Sequence, residues 1–143
     1  MAKATARWSG RKTAFEVEAG TGHRAVTDEA PILGEDSGMR PTEMLLGALG
    51  SCTGINAVLL LRKFKQRYRA LAVEVEGDQV EDWPRNFTDV RITFSIEWEE
   101  GFTPDPAEVD KALDLACNQY CPVEATLSQG VRVTHRWEAA APR

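Results

Sequence analysis

The sequence has 143 residues, with 17 Lys and Arg against 22 Asp and Glu and a formal net charge of −5. That length suits a single domain over residues 1–143, and that charge excludes a general nucleic-acid binder, which needs a basic face for phosphates. Three Cys and two His are too few for a disulfide-stapled secreted scaffold or a His-rich metal centre.

The runs KATARW (3–8) and AFEVE (14–18) alternate around the turn Ser9-Gly10-Arg11-Lys12, the pattern of a hairpin. His23–Thr27 adds a third short strand. DEAPILGEDSGMR, from Asp28 to Arg40, is rich in Gly, Pro and acid and reads as a loop. The N-terminus has no apolar run ahead of a cleavage-type segment, so export is not indicated and the cytoplasm is the expected location.

Thr42 is placed to cap a helix running to about Gln66. Its stretch from Met44 to Leu61 is apolar nearly all round, the mark of a helix buried on most sides. Glu43, Asn56 and the glycines interrupt the stretch and argue against a membrane span. A chain this short has little material to wrap such a helix, so burial by a second subunit is expected. Gly47, Gly50 and Gly54 share one side, which predicts close approach of another helix or a pocket that reaches the backbone.

YRALAVEVEGDQV and TDVRITFSIEWEE alternate as strands with one apolar face, which favours antiparallel pairing. Asp105 before Pro106, with Glu108 three residues on, starts a second helix that Pro122 should end at or just before Cys121. Val123–Gln129 forms a short helical piece, and VRVTHRW closes the chain as a strand. The order of elements gives an α+β fold, not a βαβ repeat, and no phosphate loop or dinucleotide fingerprint is present.

Cys52 lies mid-helix on a face with Leu45, Ala48, Leu49, Ile55, Asn56 and Leu59. It is either a small buried hydrophobe or a reactive thiol, and the second role needs a nearby cation. Arg24 and Arg40 precede the helix and are the candidates, with Arg11 an outsider. Glu43 is suited to hold such a guanidinium, yet it stands nine residues before Cys52, half a turn out of phase. The two share a site only if the helix begins after Glu43, bends, or meets a second subunit. Cys117 and Cys121, four apart, face the same way on the second helix. At that helix's C-terminus the dipole disfavours a Cys121 thiolate, so Cys121 suits a resolving role better than an attacking one. His135 shares a strand face with Val131, Val133 and Trp137, as a core or interface histidine does, and His23 is placed for a pocket mouth. The Cys spacing lacks Cys-x-x-Cys, so no metal site is expected.

The segments PTEMLLGALGSCTGINAVLL and LACNQYCPVEATLSQGVRV, with GHRAVTDEAP through LGEDSG before them, closely resemble the OsmC/Ohr family over nearly the whole chain. These are the osmotically inducible and organic-hydroperoxide-resistance proteins, and the likeness is greatest to the less-characterised OsmC-like branch. The resemblance implies an intertwined homodimer, with long central helices between antiparallel sheets. It implies a thiol peroxidase without metal or cofactor, in which Cys52 is peroxidatic and Cys121 resolving. Glu43 then matches the glutamate that supports the active-site arginine, a role open to Arg24 or Arg40. Asn56 and Leu49, from the Cys52 face, and His23 are the residues expected to line the substrate pocket. Organic hydroperoxides, with hydrogen peroxide beside them, are the implied substrates, and a dithiol, in some members a lipoylated protein, the implied reductant. The sequence departs from the classical peroxidases in a Glu43–Cys52 interval one residue shorter and in an arginine outside the usual glycine-rich context. The alternative is a non-catalytic or differently catalytic stress-associated dimer of the same scaffold that binds a small molecule.

Overall fold

The computed structural model describes residues 1–141, and the chain divides into two compact units, Met1–Leu45 and the remainder from Leu46. In the first, strands β1 (Ala4–Trp8), β2 (Phe15–Ala19) and β3 (Arg24–Thr27) form an antiparallel sheet in sequence order. Gly10 and Gly22 supply the positive φ angles, 84° and 91°, that the two connecting turns need. Beyond β3 the chain loops out and returns to bridge Thr27 with Met39.

Helix α1 (Pro41–Lys63) begins two residues earlier than a Thr42 cap would give. Pro41 takes the first helical position, where no N–H is needed, and the Glu43 carboxylate accepts the Arg40 N–H at 2.8 Å. Thr42 therefore lies inside the first turn, and the expected Thr42 cap is replaced by this single contact to the Arg40 N–H. By length and composition α1 is apolar enough to cross a bilayer, with a mean hydropathy of 1.8 over its most apolar window.

In the second unit, β4 (Tyr68–Gln79), β5 (Phe87–Trp98) and β6 (Arg132–Ala139) form a sheet in that order. Val90, Ile92, Phe94 and Ile96 of β5 are fully buried, as their alternation predicts. They share a core with Leu49, Ala57 and Leu61 of α1 and with Val109, Ala112 and Leu113 of helix α2 (Pro106–Asp114). The Asp105 carboxylate caps α2 by accepting the Ala107 N–H at 3.1 Å.

Two expectations change here. β4 and β5 are antiparallel, but β5 and β6 run parallel from Asp89↔Arg132 to Ile96↔Ala139. A parallel pair needs a helical crossover, and the chain between Trp98 and Arg132 supplies it. The glycine side of α1 packs on a strand and not on another helix. A Cβ at Gly50 would lie 3.0 Å from Val75, and one at Gly54 would lie 3.3 Å from Val73. Gly47 faces open space, so close packing explains two of the three glycines.

Candidate active site

Cys52 and Cys121 come together in the second unit. Their sulfurs are 2.9 Å apart, with the Cys121 thiol donating to Cys52. Both are free thiols, separated by less than 1 Å beyond the ~2.05 Å of a disulfide bond. Cys52 is half-buried at the border of two α1 faces. On one side Leu49, Thr53 and Ala57 are fully buried, while on the other Ile55 and Leu59 are 62% and 58% exposed.

The approach of Cys121 depends on a change of helix type. After Asp114 the backbone widens into a π-helical turn (Leu115–Gln119), in which the Tyr120 N–H donates to Leu115 O at 3.1 Å. In an α-helix that N–H would serve Ala116 O. The carbonyl thus released accepts the Asn56 amide from α1 at 3.2 Å. Asn56, expected at a substrate pocket, therefore ties the π turn to α1. Leu49, assigned to the same pocket, is fully buried in the core.

Cys121 does not end the second helix, as expected, but caps a third, α3 (Pro122–Leu127). Its sulfur accepts the Glu124 N–H at 3.2 Å, and Pro122 stands at the first helical position. Cys-Pro-x-Glu has the spacing of a capping box with sulfur in place of a hydroxyl, a signal that the sequence does contain, and the structure forms its cap-to-Glu124 N–H half. The thiol is pushed up to about 11, chiefly by burial and next by its hydrogen bond to Cys52, while the Glu124 and Val123 N–H groups oppose the shift. A Cys121 thiolate is therefore disfavoured by burial and not by a helix dipole. Cys117, 1% exposed in the core, is pushed up to about 12 by burial and then by the nearby Cys121, Glu124 and Asp114 charges. Glu124 is buried as well, and desolvation raises its carboxyl while His135 opposes.

The other named residues lie in the first unit. Arg24 is an exposed cross-strand cation, 3.3 Å from Glu18 and 3.8 Å from Glu16. His23 is exposed and pairs through Nδ1 with the Thr21 hydroxyl at 3.0 Å. The Arg40 guanidinium is 2.9 Å from Asp36 and donates to Gly38 O at 3.1 Å, and Asp36 foremost holds its pKa up. Glu43 bonds to the Arg40 main chain, so the expected guanidinium–Glu43 pair is a backbone contact.

Sequence reading missed Asp28. Its carboxylate, 2% exposed, accepts the Thr13 and Ser37 hydroxyls at 2.6 and 2.8 Å and the Glu29, Glu35 and Ser37 N–H groups at 2.8–3.1 Å. Led by Thr13 and Ser37, these donors hold its pKa well below the usual carboxylate range. Among the described residues, no cluster of three His, Cys, Asp or Glu side chains is arranged to hold a metal ion.

A family model described as OsmC-like protein matches residues 34–136. The protein YhfA of Escherichia coli K12 is 32% identical over 127 residues, 89% of this chain and 90% of that protein. An OsmC-like protein from Vibrio cholerae superposes with a TM-score of 0.81 at 15% identity, covering 96% of this chain and 99% of that one. An organic hydroperoxide resistance protein OsmC from Legionella pneumophila does so at 0.68 and 17%, over 99% and 97%. The α+β arrangement of two small sheets and a long helix is common to these structures, and the chain belongs to the OsmC-like family.

Proposed function

We propose that the protein is a thiol-dependent peroxidase for organic hydroperoxides, acting as a homodimer in the cytoplasm. The 2.9 Å approach of Cys52 and Cys121 carries the reading. The Cys52 thiolate attacks the distal oxygen of R–O–OH. A sulfur–oxygen bond forms, the O–O bond breaks, the alcohol leaves with a proton, and Cys52 becomes a sulfenic acid. Cys121 gives up its proton and attacks that sulfur, a disulfide forms and water leaves. An external dithiol then returns both thiols. Relatives named as organic hydroperoxide resistance proteins support this chemistry through the shared fold.

In this reading Arg40 is the cation that stabilises the polarised peroxide, and Glu43 positions it through the main chain. Support comes from two guanidinium nitrogens, Nε and Nη2, left without a hydrogen-bond partner among the described residues. The exposed Ile55 and Leu59 on α1 support a second copy covering that face. Consumption of cumene hydroperoxide with excess dithiol tests the reading. Cys52→Ser should lower turnover by about 1000-fold or more, and undiminished consumption by that variant contradicts a peroxidatic Cys52.

A further inference from the structure

We propose that the second unit carries an anion site, separate from the thiols, for a phosphate-type dianion. Residues 62–69 read RKFKQRYR, five cations in eight residues of a chain whose net charge is −5. Where α1 ends and β4 begins, four of them, Arg62, Lys65, Arg67 and Arg69, line a cleft of about 400 Å³ with Gln66 and Glu99.

Two of the four cations are compensated. Arg67 is 2.7 Å from Glu99, and Arg69 is 3.3 Å from Glu97. Arg62 and Lys65 have no carboxylate partner among the described residues, so two cations face one cleft against only the partial negative charge of the α1 C-terminus. The Tyr68 hydroxyl is committed to Val58 O and its ring to Arg62 at 5.9 Å, so the cleft offers no free aromatic face for a planar ligand. Charge and hydrogen bonding dominate, as in recognition of a compact phosphate by an Arg fork and a Lys point charge.

The backbone gives a second reason. α1 ends in a Schellman motif, with the Gln66 N–H donating to Leu61 O at 2.8 Å and the Lys65 N–H to Arg62 O at 2.9 Å. The pattern puts Lys65 in the left-handed position that glycine normally fills, at φ 58°. Favourable interaction with the helix dipole accounts for Arg62 and Lys63 in the last turn, but not for a lysine where glycine is the stable choice. Gln66 fixes the turn through both ends of its amide, accepting from the Asp105 N–H at 2.9 Å and donating to Phe64 O at 3.2 Å. Lys65 is thus held in the left-handed region, as are Lys12, Ile32, Asp36 and Arg85, and of these five it alone lines the cleft.

Stability and binding should therefore move in opposite directions in Lys65→Gly. In an NMR titration of the whole protein at fixed ionic strength, glycerol 3-phosphate and inorganic phosphate are compared with succinate, a dicarboxylate control. Wild type is expected to saturate with one of the two phosphates below ~10 mM, and the tighter of the two identifies an ester or the free ion as the ligand. Lys65→Gly and Arg62→Gln should each weaken binding by about fivefold or more, while Lys65→Gly raises Tm by roughly 3 °C. Absence of saturation, equal affinity for succinate, unchanged binding in Lys65→Gly, or a lower Tm in that variant would each overturn the proposal.

Discussion

Asp28 in the first unit and Cys121 in the second are both acidic groups taken out of water, and they end in opposite states. Asp28 is 2% exposed and receives two hydroxyl and three N–H donors, so its anion is better solvated by protein than by water. Cys121 is 3% exposed and also accepts an N–H, yet burial outweighs that donor and keeps the thiol protonated up to about 11. The difference lies in the number of donors and in the acceptor, since sulfur is a weak acceptor and a carboxylate a strong one. Burial fixes a charge where many donors converge and withholds one where few do. The first outcome fixes a loop. The second keeps a thiol neutral beside its partner until that partner is oxidised.

The comparison breaks first at the thiols. Cys121→Ser should lower multiple-turnover peroxide reduction by about 100-fold or more and leave an oxidised Cys52, whereas Cys117→Ser should leave turnover unchanged. Equal losses in both would remove the distinction between a resolving thiol and one that fills the core. Asp28→Ala is the matching test in the first unit. It strands five donors at once and should lower Tm by more than about 5 °C. A drop of a degree or less would mean that the loop does not depend on this carboxylate.

Titration sharpens the same contrast. Asp28 has a depressed folded pKa, so its contribution is present above its unfolded value of ~3.9 and fades as the pH falls below it toward the folded value. The stability gap between wild type and Asp28→Asn should therefore be widest near neutral pH and close in acid. Cys117 has a raised pKa, so its contribution is complete below the unfolded value of ~8.5 and is lost as the pH rises toward about 12. Relative to Cys117→Ala, wild type should lose stability in alkali, and denaturant midpoints measured across pH resolve both trends. The smallest effects lie in α1. Gly47→Ala should stabilise by about 0.5–1 kcal/mol, while Gly50→Ala should destabilise by about 1 kcal/mol by pressing on Val75.

Much of this was legible in the sequence, because the relevant signals are local. Alternation found β4 and β5, and Asp105-Pro106 found the start of α2. The start of α1 was misjudged by two residues, since a capping threonine is a commoner sign than a glutamate reaching back to the main chain. The surroundings of Cys121 were misjudged more seriously. A four-residue spacing puts Cys117 and Cys121 on one face of a regular helix, but the Tyr120–Leu115 bond widens the turn and a new helix starts at Cys121. No periodicity announces an i to i+5 bond. The parallel β5–β6 pairing was hidden for a related reason, because alternation reports which face of a strand is buried and not its direction. Asp28 was invisible as one of four acids in an acid-rich loop, since its donors converge only in three dimensions.

In the proposed reaction Cys52 and Cys121 form the redox pair, while Cys117, four residues from Cys121, takes no part. The most direct measurement is a peptide map by mass of the reduced protein after one equivalent of cumene hydroperoxide, with free thiols blocked at low pH. A single Cys52–Cys121 cross-link and an alkylated, unoxidised Cys117 are expected. A cross-link through Cys117, or oxidation that leaves Cys52 reduced, would contradict that pairing.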